Sequence, residues 1–365
     1  MEYKFSELFT WTSGKPITPS TGEIPIYGSN GIIGFTDTAK YQNKIILGRV
    51  GAYCGSTTYC KDAFNATDNT LITACDESKI IYPYAYYLLK QYHLNDYAGG
   101  AAQPLITQSI LKHLKCDVPN IVTQEKTVNI LAKYDELIEV NNQRIKKLEQ
   151  TAEELYKEWF VRFRFPNHQN TKFENGIPKG WEYKSLFEIG KVDYGYAFSS
   201  NLFCDDNTLN PVVRIRDIQD NKTNTFTPEI CDDKYLISEN SILVGMDGIF
   251  HMCLWNGSKA FLNQRVVMIN SIYANYCNYL LYLSLYPQVK FWEAVIAGTT
   301  VAHLGDKHLK KMKILIPNDE FLKEYNPIFE SLMVQKNRVM KQNDNLIKQK
   351  DLLLPRLMSG KLEVK

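Results

Sequence analysis

The sequence predicts an α+β protein of two mixed α/β lobes related by internal duplication, each lobe followed by one long helix. Three observations lead there. The chain matches itself at an offset of about 198 residues, its lobes carry short β-type runs between turn residues, and two helical stretches space their apolar positions alternately by three and four. At 365 residues the chain also exceeds what one hydrophobic core serves, and its 44% hydrophobic and 12% aromatic content can supply two.

The duplication is read from matches that keep the same order in both halves. Leu111-Lys112-His113-Leu114-Lys115 before Pro119 matches Leu309-Lys310-Lys311-Met312-Lys313 before Pro317. Upstream, Gly99-Gly100-Ala101-Ala102 falls on Ala297-Gly298-Thr299-Thr300, and Leu105-Ile106 on His303-Leu304. Leu47-Gly48-x-x-Gly51 lies opposite Val244-Gly245-x-x-Gly248, Tyr87-Leu88-Leu89 opposite Tyr279-Leu280-Leu281, and Glu2-Tyr3-Lys4 opposite Glu182-Tyr183-Lys184. So long a period excludes a solenoid.

Within the lobes, Lys44–Leu47, Pro211–Ile215, Ser241–Val244 and Arg265–Ile269 read as strands between Gly, Asn and Asp turns. After Pro119 the period becomes helical. Tyr134, Ile138, Asn141, Ile145, Leu148, Ala152, Leu155 and Trp159 form a coiled-coil seam with charges between them. Its counterpart holds Leu332, Lys336, Val339, Asn343, Leu346, Lys350 and Leu353, so Asn141 on one seam answers to Val339 on the other. A helix of about 40 residues is about 60 Å long, too long for either lobe to bury and too amphipathic to stand alone, so the two are expected to pair. Residues 162–181, rich in Pro, Asn and Gly, read as a loop joining the halves.

Composition narrows the chemistry. Neither end carries a signal pattern and no stretch is apolar enough to span a membrane, which places the chain in the cytoplasm by expectation and gives it no membrane partner. The eight cysteines lack CxxC or His spacing and are expected to be buried free thiols, neither metal ligands nor disulfides. An adenine methyltransferase needs an Asn-Pro-Pro-aromatic loop, yet Asn210-Pro211 and Asn326-Pro327 continue otherwise. The Gly-Lys steps at Gly14, Gly190 and Gly360 fit no phosphate-cradling loop, and the absence of Pro-Asp argues against a metal-dependent nuclease. No triad can be built on the six histidines, so no catalytic residue, metal or cofactor is expected. A net charge of +2 neither requires nor excludes nucleic acid.

The order of motifs resembles the specificity subunits of type I restriction-modification systems over essentially the whole chain. The first half carries the resemblance in Pro119, Gln124-Glu125-Lys126, Leu131, Asp135 and Ile138, then in Leu155-Tyr156-x-x-Trp159-Phe160-Val161-Arg162-Phe163. The second carries it in Pro178-Lys179-Gly180-Trp181, in Arg214-Ile215-Arg216-Asp217-Ile218, and most specifically in Leu353-Leu354-Pro355-Arg356-Leu357-Met358-Ser359-Gly360-Lys361-Leu362. The resemblance implies two target recognition domains, each reading one part of a split site in double-stranded DNA, separated by two long antiparallel coiled-coil helices. It further implies methyltransferase subunits docked on the helices, and restriction-translocase subunits reached indirectly. The expected organisation is a first recognition domain at 1–119, a spacer helix at 120–165, a linker at 166–180, a second recognition domain at 181–318 and a second spacer helix at 319–365. The first half departs from the pattern in lacking its own Pro-x-Gly-Trp entry, which implies a domain trimmed at its start.

Reading a split site needs two readers at a fixed separation, which packed helices set better than a flexible linker. Phosphates are met by Lys and Arg, guanine by Arg, adenine by Asn or Gln. In the turn-rich parts of the lobes the candidates are Lys15, Asn30, Arg49, Tyr53 and Lys61, and Tyr194, Tyr196, Arg214, Arg216, Lys222 and Arg265. The contrasting function class is a coiled-coil scaffold without DNA contact, which steep loss of DNA binding with salt would exclude.

Overall fold

The computed structural model describes residues 1–100, 103–296, 302–362 and 364; part of the small-residue turn at Ala101-Ala102, and its counterpart at residues 297–300, lie outside them. The chain forms two compact units, one of residues 1–140 with 342–365, the other of residues 141–341.

The first unit opens with β1 (Glu2–Lys4), α1 (Phe5–Leu8) and β2 (Phe9–Ser13), then β3 (Ile24–Gly28), β4 (Gly31–Thr36), β5 (Lys44–Gly48), β6 (Thr57–Cys60), β7 (Asn65–Ala66) and β8 (Thr70–Cys75). Helices α2 (Tyr82–Gln91) and α3 (Gln108–His113), strand β9 (Lys115–Asp117) and the long α4 (Ile121–Tyr156) follow. One sheet runs β2-β8-β5-β6, a second β4-β3-β7, and β1 pairs with β9. In the first sheet β5 is buried from Ile45 through Gly48, as a central strand covered on both faces requires. Its core joins Ile45, Leu47 and Leu71 to Tyr84 and Leu88 of α2, to Leu131 of α4 and to Leu357 and Met358 of the last helix.

The second unit repeats this plan. A hairpin of β10 (Phe173–Glu174) and β11 (Ile177–Pro178) leads into β12 (Glu182–Ser185), α5 (Leu186–Ile189) and β13 (Gly190–Tyr194). Then come β14 (Asn210–Val213), β15 (Phe226–Thr227), β16 (Ile242–Gly245), β17 (Met252–Leu254), β18 (Phe261–Leu262), β19 (Val266–Ser271), α6 (Asn278–Ile296), α7 (Asp306–Leu309), β20 (Lys313–Ile316) and α8 (Asp319–Met358). Sheets β13-β19-β16-β17, β15-β14-β18 and β12-β20 correspond to those of the first unit strand for strand. The first lobe therefore lacks none of the three sheets.

The β10–β11 lead-in is a short hairpin within the mostly exposed stretch expected to join the halves at 166–180. Asn175 and Gly176, both at positive φ, make the two-residue hairpin turn. Around it Phe160, Phe163 and Phe165 pack their rings on Trp181, and Phe321 stacks edge-on at 5.0 Å from Trp181. These rings pack on either side of the hairpin, whose own residues stay exposed apart from Ile177 and Pro178.

Both long helices start the same way. Pro119 and Pro317 stop the preceding strand, and the Asn120 side chain accepts from Thr123 N–H at 2.9 Å as Asn318 accepts from Phe321 N–H at 2.9 Å. Helix α4 runs 36 residues and α8 40. In the first unit Lys350 of α8 reaches Asp135 of α4 at 2.5 Å, and Asn343 donates to the Ile138 carbonyl, so the two helices run in opposite directions there. In the second unit Lys336 of α8 meets Glu149 of α4 at 3.3 Å, and Trp159 packs edge-on against Phe321, Tyr325 and Phe329.

Candidate DNA interface

One backbone frame shapes the rim of both lobes. In the first, Gly48 N–H donates to Ser56, Arg49 N–H to Asn69, Gly51 N–H to Pro104, and Ile106 N–H to Arg49. In the second, Gly245 N–H donates to His251, Met246 N–H to Arg265, Gly248 N–H to Ala302, and Leu304 N–H to Met246. Val50 bridges Leu105 in the first as Asp247 bridges His303 in the second. The entry is shared too: Gly14 N–H donates to Thr70 and Lys15 N–H to Ala66, as Gly195 does to Val266 and Tyr196 to Leu262. A Cβ at Gly14 would lie 2.1 Å from the Thr67 carbonyl oxygen, and one at Gly195 2.0 Å from that of Asn263, so both lobes need glycine where the chain crosses the sheet edge.

Equivalent rim positions therefore carry different side chains. Lys15 corresponds to Tyr196, Gly28 to Arg214, Arg49 to Met246, Val50 to Asp247, Asn69 to Arg265 and Leu105 to His303.

In the first lobe the rim encloses a concavity of about 500 Å³ lined by Pro16, Ile17, Ser29, Asn30, Ile33, Tyr53, Asp68, Asn69 and Gln103, among others. The β3–β4 turn is tied down by Ser29, whose hydroxyl donates to the Asn69 carbonyl at 2.6 Å, and by Ser56, whose hydroxyl donates to the Ser29 carbonyl at 2.9 Å. Lys15, Arg49, Asn30 and Tyr53 thus come to one place, with Tyr53 53% exposed. Lys61 does not. It follows Cys60, which pairs with Lys44 at the opposite end of β5 from Arg49, about 15 Å away along the strand.

In the second lobe Tyr194 pairs with Val267, next but one to Arg265, and donates its hydroxyl to Asp306 at 2.8 Å. Burial and the Asp306 carboxylate push that phenol above its ordinary pKa. Arg265 lies 3.3 Å from Asp247, which also holds the His303 Nδ1 at 2.6 Å. Tyr196 bridges Asn263, whose N–H donates to Val213 beside Arg214. Arg214 lies over the Phe203 ring at 5.2 Å, its Nε buried and unbonded 3.9 Å from Asp217, whereas Arg216, 71% exposed, lies 3.8 Å from the other oxygen of the same carboxylate. Burial raises the Asp217 carboxyl above the ordinary range, opposed by the Thr223 hydroxyl. Lys222 stands between the two ends of the sheet: its N–H donates to the Asp217 carbonyl at 3.4 Å, while its neighbour Asn221 donates to Leu254, which pairs with Ile242 at the far end of β16 from Asp247.

Asn69, Gln103, Asp247, His303 and Asp306 were missed by the sequence reading. The repeat alignment held a signal for one of them, since it sets polar His303 on apolar Leu105.

On the helices, Tyr134, Ile138, Asn141, Ile145, Leu148 and Leu155 are half-buried, as are Leu332, Leu346 and Leu353, while Val339 is buried. The cysteines are all free, and burial pushes the Cys75 and Cys253 thiols up to about 12, leaving them protonated. No group of His, Cys, Asp and Glu among the described residues could hold a metal. No helix among them is long and apolar enough to cross a membrane.

The family model described as "Type I restriction modification DNA specificity domain" matches residues 2–150 and again 178–349. The chain belongs to the type I restriction-modification specificity family. Its two matched stretches start near the two equivalent strands β1 and β12, so the family domain and the structural repeat coincide. Among relatives of this specificity family, the MjaIX specificity subunit of Methanocaldococcus jannaschii is 28% identical over 312 residues, 78% of this chain and 70% of that one. The HindI specificity subunit of Haemophilus influenzae is 24% identical over 334 residues, 71% of each chain. In fold, the crystal structure of the type I system S subunit from M. genitalium superposes with a TM-score of 0.59 at 17% identity, covering 98% of this chain and 96% of that one. DNA sequence recognition is the function that goes with this family.

Proposed function

We propose that the two lobes read the two parts of a split, asymmetric DNA target, and that α4 and α8 set the distance between those parts while carrying methyltransferase subunits. The observation that carries the reading is the duplicated rim, one backbone frame bearing Lys15, Arg49 and Asn69 in one lobe and Tyr196, Met246 and Arg265 in the other. Equivalent frames offer equivalent edges to a duplex, and different side chains on them read different bases. The contacts are assigned to Lys15, Asn30, Arg49 and Tyr53 in the first lobe and to Tyr194, Tyr196, Arg214, Arg216 and Arg265 in the second; Lys61 is left out because it lies at the far end of β5 from Arg49, and Lys222 because its neighbour Asn221 packs at the far end of β16 from Asp247.

Helices of 36 and 40 residues span about 54 and 60 Å, and a packed pair tolerates one spacer length where a flexible connector would tolerate many. Val122, Leu137 and Val140 of α4 are apolar and more than half exposed, which supports a protein partner on that face. The chain itself contributes specificity and no chemical step; methyl transfer to adenine and ATP-dependent cleavage belong to the partner subunits, acting in the cytoplasm. The working boundaries remain 1–119 and 181–318 for the readers, 120–165 and 319–365 for the spacers, and 166–180 for the connection.

The test is to express the chain with methyltransferase subunits and map methylated positions in host DNA. Exchange of residues 1–118 for the lobe of another such subunit should alter one half of the motif only. A stable complex that methylates nothing would favour a scaffold instead.

A further inference from the structure

The rim of the second lobe holds an arrangement that the first does not. Asp247 sits between two partners, its Oδ2 3.3 Å from Arg265 Nη1 and its Oδ1 2.6 Å from His303 Nδ1. The backbone fixes all three positions. Met246 N–H donates to the Arg265 carbonyl, Gly248 N–H to Ala302, and Asp247 bridges His303 across the strands. The Asp247 carboxylate, held by the histidine on one oxygen, meets the guanidinium at Arg265 Nη1 with the other. Among the described residues the rest of the Arg265 guanidinium takes no protein acceptor, and its side chain is 56% exposed. An arginine tethered by one nitrogen and free at the others loses little rotamer entropy on binding and keeps a two-donor edge, the geometry that matches the O6 and N7 acceptors of guanine in the major groove. In the first lobe the three positions are Asn69, Val50 and Leu105, which can form no such clamp.

We propose that Arg265 is a specificity-determining residue that reads one guanine in the half-site of the second lobe, and that Asp247, held by His303, is the residue that positions it. The assignment rests on the reading of the lobes as two DNA readers. A phosphate contact would need only the charge, whereas a guanine contact needs the fork and its orientation.

The experiment measures methylation of a duplex library randomised over both half-sites by the complex of this chain with methyltransferase subunits, the products being sequenced. Arg265→Ala should cut discrimination at one position of the second half about 5- to 150-fold and leave every other position unchanged. Arg265→Lys keeps the charge, loses the fork and should not restore the preference. Asp247→Asn should weaken preference at that same position and nowhere else, an outcome that a merely structural role would not give. Thermal melts of the three variants close to the unaltered chain would show that the lobe remains folded. A uniform loss across all sequences, full rescue by lysine, or an Asp247→Asn variant with unaltered preference would overturn the proposal. An unaltered complex that shows no split preference would instead overturn the two-reader reading on which it stands.

Discussion

Replacing Gln124 with leucine should detach the first lobe from the root of α4. Gln124 is fully buried, and its amide is used completely: Oε1 accepts from Ile81 N–H at 3.0 Å, and Nε2 donates to the Lys79 carbonyl at 2.7 Å and to the Pro119 carbonyl at 2.9 Å. Three bonds at about 1 kcal/mol net each come to about 3 kcal/mol, and their loss strands Ile81 N–H where α2 begins. A leucine of nearly equal volume returns about 1 kcal/mol through its greater apolar surface, leaving a net cost of about 2 kcal/mol. That is about a 30-fold rise in the opening equilibrium of the first unit. Hydrogen exchange reports it directly, because peptides covering residues 76–91 should exchange about 30-fold faster while peptides from β16 and β19 keep their rates. A change below about twofold at Ile81, or an equal acceleration in the second unit, would refute the reasoning.

Lys350→Met should cost about 1–2 kcal/mol in urea unfolding, less than the 3–5 typical of a buried pair, because Asp135 is 35% exposed on its side chain and keeps the Tyr87 hydroxyl at 2.6 Å; no loss would show that the pair is idle. Leu148→Glu, at a half-buried seam position, should cost about 1–2 kcal/mol in thermal unfolding and widen the tolerated spacer between half-sites in the methylation assay. Unchanged stability together with an unchanged spacer would count against helices as the ruler. Asp217 holds its proton more tightly folded than unfolded because burial raises its carboxyl, so its contribution is greatest below the ordinary carboxylate value and falls as pH rises through the folded one. Asp217→Asn removes that decline, and melts at pH 4 to 7 should show the variant gaining on the unaltered chain as pH rises; a constant or shrinking difference would exclude it.

Much of the fold was legible because its signals are local. Pro119-Asn120 and Pro317-Asn318 stop a strand and cap a helix with two adjacent residues, and the seam from Tyr134 to Trp159 is a matter of spacing alone. The duplication was legible because motif order survives insertion. The rim was only half legible, since it is built by parallel pairings, β3 with β7 and β14 with β18, that join Ile26 to Asn65 and Val212 to Phe261, residues far apart in the chain. Lys61 and Lys222 show the cost: a lysine in a turn carries the same local signal at either end of a strand, and only the register tells which end it is. In the 166–180 segment the Pro, Asn and Gly residues announce turns and the stretch is mostly exposed, while the aromatic cluster of Phe160, Trp181 and Phe321 on either side of it in the chain carried no local signal.

The composition of the first unit has a consequence for synthesis. Its core includes Leu357 and Met358, and its boundary takes in residues 342–365, so the unit that holds residues 1–140 is completed only after residues 141–341 have been made. While the ribosome is still at work, the N-terminal lobe holds its sheets but leaves the apolar side of Leu131 open, and the continuous unit of residues 141–341 is complete before it. Loss of residues 342–365 would therefore injure a domain built mostly from residues 1–140. A stop codon placed within that stretch should disable recognition by the first lobe while the second stays folded.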